Sequence, residues 1–430
     1  MKRYIAAGLA AALLCAVCAP AYAAETQTGQ TDAGTQTGPV KLTFDTLEQT
    51  VRENNITIQA YEHTIQSAEE TDVSDDFFNS YIELSNQISG YEQQIRALDD
   101  AIADLKAASA PGEEGEEGGL SGTEALIASL EAQKKILQFQ LDAVRAQYDD
   151  LEDEEEDAEE AQEQTVANTR REMGNAADLV CVAAENTYIS LQSMQYSYNQ
   201  TARSLAQLDR NIAAAEKQVE LGMAGENTLK SLQSQRETLL ASEAALDTQV
   251  DALCNTLALQ CGLSLGTEIE IEPASAVTQA QLDAIDYDAD LALALENSYS
   301  IWSSEQAVED ASDDYADGVT DNLHAYEAAQ IQRDAQYESV TASFRALYQA
   351  VEEARKALNA AQANIDMARR TFAAQELQYR LGMISQMAYA DAQDTLATAE
   401  ETAETAQIDL ITAYQAYAWA KRGVMSSAAA

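Results

Sequence analysis

The tripeptide Leu-Gly-Met occurs twice, as Leu221-Gly222-Met223 and Leu381-Gly382-Met383, each time between two long stretches with helical hydrophobic periodicity. A chain patterned this way folds as tandem helical hairpins, each repeat being one supersecondary unit. At an offset of 160 residues Leu221, Gly222, Met223 and Gln233 meet Leu381, Gly382, Met383 and Gln393. Upstream, at an offset of 243, Glu53-Asn54 and Ile58 meet Glu296-Asn297 and Ile301. The offsets differ by 83 residues, so repeat one (41–263) carries an insertion of that size which repeat two (282–424) lacks.

The insertion (74–164) has its own pattern. Leu84, Ile88, Tyr91, Ile95, Leu98, Ile102 and Leu105 alternate steps of three and four, and Leu126, Leu130, Leu137, Leu141, Val144, Tyr148 and Leu151 follow the same rhythm, with Gln133 and Lys134 left polar. That spacing is the heptad of a coiled-coil seam. Pro111 to Gly119 can hold neither helix nor strand, which turns the pair into an antiparallel hairpin.

The same rhythm flanks each Leu-Gly-Met. Leu205, Leu208, Ile212, Ala215 and Val219 precede the first, and Leu229, Leu232, Leu239, Leu246, Val250, Leu253 and Leu257 follow it, with Arg236 and Glu243 at seam positions. Phe344 to Phe372 and Tyr389 to Tyr417 do the same around the second, with alanine at many seam positions, which lets helix axes approach closely. An arm such as Thr165 to Glu220 would reach roughly 80 Å at 1.5 Å per residue. Glycine at each turn can adopt the left-handed conformation that ends a helix. The expected fold is mainly α: long antiparallel coiled-coil hairpins in two tandem repeats, with an extra inserted hairpin. In the linker (264–281), Thr267 to Glu272 alternates as a short strand does before Pro273 ends it. Thr43 is positioned to cap the first helix with its hydroxyl.

Composition bounds the rest. Lys2, Arg3, the apolar run Ile5 to Ala19 and Ala21-Tyr22-Ala23 read as a secretory signal peptide (1–23), followed by a polar leader (24–40) too poor in apolar residues to pack. Residues 425–430 are a tail, and beyond Ala23 no apolar run approaches the roughly 20 residues that span a bilayer as a helix. The formal charge is −48, from 25 basic and 73 acidic residues. Such a surface repels nucleic acid and anionic lipid and suits solubility, basic partners or divalent cations. Cys181, Cys254 and Cys261 remain after processing. The last two sit seven apart on one helix, about 10 Å along its axis, so buried thiols are expected in place of a disulfide.

No chemistry-bearing constellation appears. Asp149 to Glu160 holds ten acidic residues in twelve positions but lacks the glycine and spaced ligands of a calcium loop, and reads as a solvated helix or an unfolded stretch. His63 and His324 are the only histidines, no cysteine or second histidine stands at metal-ligand spacing from either, and tyrosines 188, 196 and 198 fit helix packing. With no nucleophile elbow, phosphate loop or paired-cysteine motif, neither an enzyme nor a cofactor or metal is expected.

Two helical repeats behind a signal peptide, each turning at Leu-Gly-Met, resemble the TolC-like outer membrane efflux protein family. Leu381-Gly382-Met383-Ile384-Ser385 with Asp391-Ala392-Gln393 carries the best match, and Leu42-Thr43-Phe44 through Glu53-Asn54-Asn55 is similar to the family's opening. The resemblance implies a homotrimer in the cell envelope, each chain giving four helical strands to a hollow duct. It also implies that Leu221, Gly222, Met223, Leu381, Gly382, Met383, Ser385 and Asp391 form the tips where a periplasmic adaptor (membrane fusion protein) docks, linking an inner-membrane pump. Relatives insert membrane strands early in each repeat. The corresponding regions here, around 71–164 and 310–330, lack the alternation that a lipid-facing strand needs; the first reads as heptads and the second, from Asp313 to Asn322, as a polar turn. Two functions follow as expectations: an extracytoplasmic helical duct or adaptor-docking component for efflux, or a secreted or envelope-associated coiled-coil structural protein without pore function.

Overall fold

The computed structural model describes residues 39–108, 120–316 and 322–425. The signal peptide, most of the leader, the turn at Pro111 to Gly119 and the tail from 426 onward lie outside these residues. The compact unit begins at Val40. Its elements run β1 (Val40–Leu42), α1 (Phe44–Asn54), α2 (Ile56–Glu69), α3 (Ser74–Ala108), α4 (Leu120–Glu220), α5 (Glu226–Gln260), β2 (Ile269–Ile271), α6 (Gln279–Asp283), α7 (Tyr287–Asn297), α8 (Tyr299–Ala316), α9 (Leu323–Arg380) and α10 (Gln386–Lys421). The protein is mainly α, in tandem helical hairpins: α4 pairs with α5, α9 with α10, and α3 with the first half of α4.

Several details differ from the sequence reading. The return helix of the inserted hairpin and the first arm of repeat one are a single helix of 101 residues, about 150 Å long. Asp149 to Glu160 is a solvated helix within it, one of its two readings, because apolar seams on both sides carry the helix through its own charge repulsion. The expected strand shrinks to Ile269–Ile271 and gains a partner the sequence did not announce, pairing in parallel with Val40–Leu42. Val40 therefore belongs to the folded unit, not to the leader. Thr43 stands at the N-cap of α1 without a side-chain cap bond; its hydroxyl meets that of Thr46 instead, at 2.7 Å. Of the expected polar turn, Asp313 to Ala316 continues α8, and 317–321 lie outside the described residues.

The repeats meet at a belt around the small sheet. Leu47, Val51, Cys181, Tyr188, Leu191, Leu257, Ile411 and Trp419 share one core there, and Phe344, Val351, Leu410 and Tyr417 form a second. Tyr188 is fully buried, and its hydroxyl donates to the carbonyl oxygens of Leu42 and Glu272, fastening both strands to α4. All three cysteines are free, and burial pushes the Cys181 and Cys261 thiols up to about 11. Beside this core, Arg52 of α1 bonds Glu48 and Asp178, and Arg422 bonds Glu48 and stacks 3.9 Å from the Trp419 ring. The indole Nε1–H donates to buried Glu185 at 2.6 Å. Desolvation raises the Glu185 carboxyl above its usual range, whereas its bond to Arg422 holds Glu48 below it.

The repeats also share a device at the belt. The first short helix breaks after Asn54 in repeat one and after Asn297 in repeat two, and each break receives the glycine that ends the last helix of its repeat. Gly262 and Gly423 have φ of 70° and 87°. A Cβ on either would stand 2.1 Å from the Asn54 carbonyl oxygen or 2.2 Å from that of Asn297. Asn55 completes the first joint: its Oδ1 accepts from the amides of Thr57 and Ile58, and its Nδ2 donates to the Gln260 carbonyl.

Replacing Gly423 with Ala should cost more than the 1–2 kcal/mol of a strained left-handed residue, because the added Cβ meets a backbone carbonyl. Gly222→Ala, with open space around it, should cost only that 1–2 kcal/mol. Urea melts followed by circular dichroism compare the two, and equal losses would refute the joint. Glu185→Gln keeps an acceptor for Trp419 and removes a desolvated charge. The folded carboxyl lies above its unfolded value, so its favourable contribution exists below the unfolded value and is lost as pH rises. The variant should therefore be more stable than the wild type at pH 7, with the gain vanishing below about pH 4; a gain that is constant across pH would contradict this.

Candidate partner-docking tips

Both Leu-Gly-Met turns have one conformation, set by one bonding pattern. The α4 helix ends with Gly222 N–H on the Val219 carbonyl at 2.9 Å and Met223 N–H on Gln218 at 2.7 Å; α9 ends with Gly382 N–H on Tyr379 at 2.9 Å and Met383 N–H on Gln378 at 2.8 Å. This is the Schellman cap, which requires a left-handed residue between the helix and the following chain. Gly222 and Gly382 supply it with φ of 71° and 72°. The cap swings the flanking side chains outward: Leu221 is 72% exposed, Met223 76%, Leu381 65% and Met383 69%.

The return helices begin differently. Ser385 caps α10 by accepting the Ala388 amide at 3.1 Å, so its hydroxyl is occupied structurally; Gly225 stands at the same place before α5 and offers no side chain. Asp391 lies exposed on α10, one to two turns back from the tip. Tip two carries aromatic support that the periodicity only half revealed. The Tyr379 and Tyr389 rings stack at 4.6 Å, and Phe372 adds a second stack on Tyr389 at 5.8 Å. Phe372 and Tyr389 fall on the seams of the sequence pattern, but Tyr379 does not. Its role depends on the turn bringing α9 back over α10.

The two tips stand at one level. Antiparallel α4 and α10 are joined by three polar rungs: Glu185 to Trp419, Arg203 to Glu401 and Arg210 to Asp394. Between the last two rungs each helix advances seven residues, two full turns. Carried eleven residues further, the same register sets Leu221 level with Met383. The four long helices thus form a row in the order α5, α4, α10, α9, with both turns at one end. At its edges Leu240 of α5 and Met367 of α9 are exposed. The Arg236–Asp209 and Arg369–Glu400 bridges put these two side chains within about a turn of the same height.

The fold and the tips define a protein of tandem helical hairpins that presents two matched turns at one end. Comparison with family models and with curated protein sequences finds no match. Among solved structures, the chain is similar to the Campylobacter jejuni CmeC outer membrane channel, with 12% identity, a TM-score of 0.47 and coverage of 64% of this chain and 69% of that one. It is similar to VceC of Vibrio cholerae at 10% identity and a TM-score of 0.46, over 89% and 97% of the two chains. MtrE of Neisseria gonorrhoeae gives 13%, 0.42, and 89% of each. Likenesses at this level carry no argument about function, which rests on the chain's own geometry.

Aromatic stacking of this kind contributes about 0.5–1.5 kcal/mol per pair. Tyr389→Ala, which removes both stacks, should speed amide exchange across 376–390 several-fold and leave 217–228 unchanged. Unaltered exchange at tip two would show that the stacks do not hold it.

Proposed function

We propose that this protein is the helical duct component of an export apparatus in the cell envelope. It assembles as a homotrimer and docks an adaptor, and through it an inner-membrane pump, at Leu221–Met223 and Leu381–Met383. The observation that carries this reading is the pair of level, identically capped tips, whose large apolar side chains face solvent in a chain otherwise dominated by acidic groups. Apolar side chains clustered at a solvent-facing tip mark a contact site. The open edges of the row support assembly around an axis, with Leu240 of one copy facing Met367 of the next.

A second reading, a coiled-coil spacer without a pore, is favoured by one feature. Among the described residues of the regions where the resemblance would put membrane strands, all but 71–73 and Asn322 lie in the helices α3, α4, α8 and α9.

Light scattering on the mature protein should give three times the chain mass. The double variant Leu240→Cys, Met367→Cys should link into trimers with a short bis-maleimide. Met223→Asp with Met383→Asp should leave that mass and the helicity unchanged and abolish binding to a helical-hairpin adaptor. Monomers throughout would sink the duct. Trimers that never conduct in planar bilayers would leave the spacer.

A further inference from the structure

Beyond the belt, α3 and the first half of α4 project as a lone two-helix hairpin. The α8 helix of repeat two has 18 residues, whereas α3 runs 35, about 50 Å. Within it α4 has two apolar faces. One meets α3 through Leu137, Leu141 and Val144, braced by Lys106–Glu131, Lys134–Asp99 and Arg145–Glu92. The other lies roughly 150° around the helix and faces solvent: Ala125, Ala132, Ile136, Phe139, Ala143 and Ala146 are all exposed. Its last five members advance by four, three, four and three, the step of a second seam. Phe139 is 77% exposed and Ile136 60%. In a chain of charge −48, this stripe carries no charged residue from Ala125 to Gln147.

We propose that this face pairs, antiparallel, with the same face of a second copy of this chain, about a two-fold axis beside Phe139. Charge selects both the occupant and its direction. The stripe offers a second copy the approach that the surrounding acidic surface denies it. Parallel pairing would lay the two runs Asp149–Glu160 side by side, ten acidic residues against ten, a repulsion that low screening at close range makes severe. Antiparallel pairing separates the runs and sets each opposite 118–129 of the other copy, where Glu124 is the one acidic residue. It also brings Lys135, at one margin of the stripe, opposite Asp142 of the other copy, and Ala132 opposite Ala146. A face about 30 Å long and one helix wide is smaller than the roughly 800 Å² per partner of standard stable complexes. The pairing is therefore reversible and concentration-dependent.

Sedimentation of the intact mature protein across concentration should show its unit, whatever that is at high dilution, doubling in mass. Phe139→Glu, at an exposed site that folding does not need, should abolish the doubling with helicity unchanged. Lys135→Glu should weaken it at least several-fold, and Lys135→Glu with Asp142→Lys should restore it. With a short bis-maleimide, a mixture of Ala132→Cys chains and Ala146→Cys chains should yield crossed dimers that neither variant gives alone. The wild type, whose own thiols are buried or half-buried, is the blank. Self-linking of each single variant, an unchanged mass for Phe139→Glu, or no doubling of the wild type would overturn the proposal. Absence of trimers with doubling retained would count against the duct alone.

Discussion

Two long hairpins lying side by side can slide or splay unless something fixes their register, and helix propensity contributes nothing to that. Here the contact between α4 and α10 does so. Alanine at many α10 positions brings the axes close, and the rungs Glu185–Trp419, Arg203–Glu401 and Arg210–Asp394 allow only one alignment. From that alignment follow the level tips, the position of Arg422 against Glu48 and Asp178, and the placement of both glycine joints at one belt. The exposed ion pairs among these are worth little individually as stability. Their value is in specifying register, since a slip of one turn would leave each arginine facing the wrong residue.

The hairpins and turns were legible because periodicity of three and four and a glycine in the left-handed conformation are local rules. Leu-Gly-Met predicts its own cap. What the sequence concealed is what depends on distance. Strand Val40–Leu42 is three residues long and exists only because Ile269–Ile271 lies beside it and Tyr188 bonds both. Asn54 and Gly262 read as a helix end and a cap; their contact, across more than 200 residues, is a fact of packing. The unbroken α4 was hidden for a different reason. By local rules a run of ten acids suits a solvated helix or an unfolded stretch alike, and only the flanking seams decide for an unbroken helix. The tip residues were legible one by one, but their common level was not, because it is a property of the α4–α10 register.

The scarcity of cations gives the surviving ones specific tasks. Of the few arginines, Arg52, Arg145, Arg203, Arg210, Arg236 and Arg369 each bridge to an acid on a neighbouring helix, so basic groups mark the seams while acidic groups cover the outside. The buried carboxylates follow the same logic in reverse. Asp290 is held by Tyr417 and Lys421, and Glu185 by Trp419 with Arg422 nearby. Each fastens repeat two's last helix to an element it must not leave.

The length of α4 has a mechanical consequence. It is one proline-free helix gripped near Asp178 to Glu185, with about 85 Å on the hairpin side and about 50 Å on the tip side. That makes the belt a fulcrum. A tilt of about one degree there would carry the hairpin end roughly 1.5 Å in one direction and the Leu221 tip roughly 0.9 Å in the other, by the same rise per residue. A load applied at one end of the molecule is thus delivered at the far end with its sense reversed and its amplitude reduced, along a rod with no joint to absorb it.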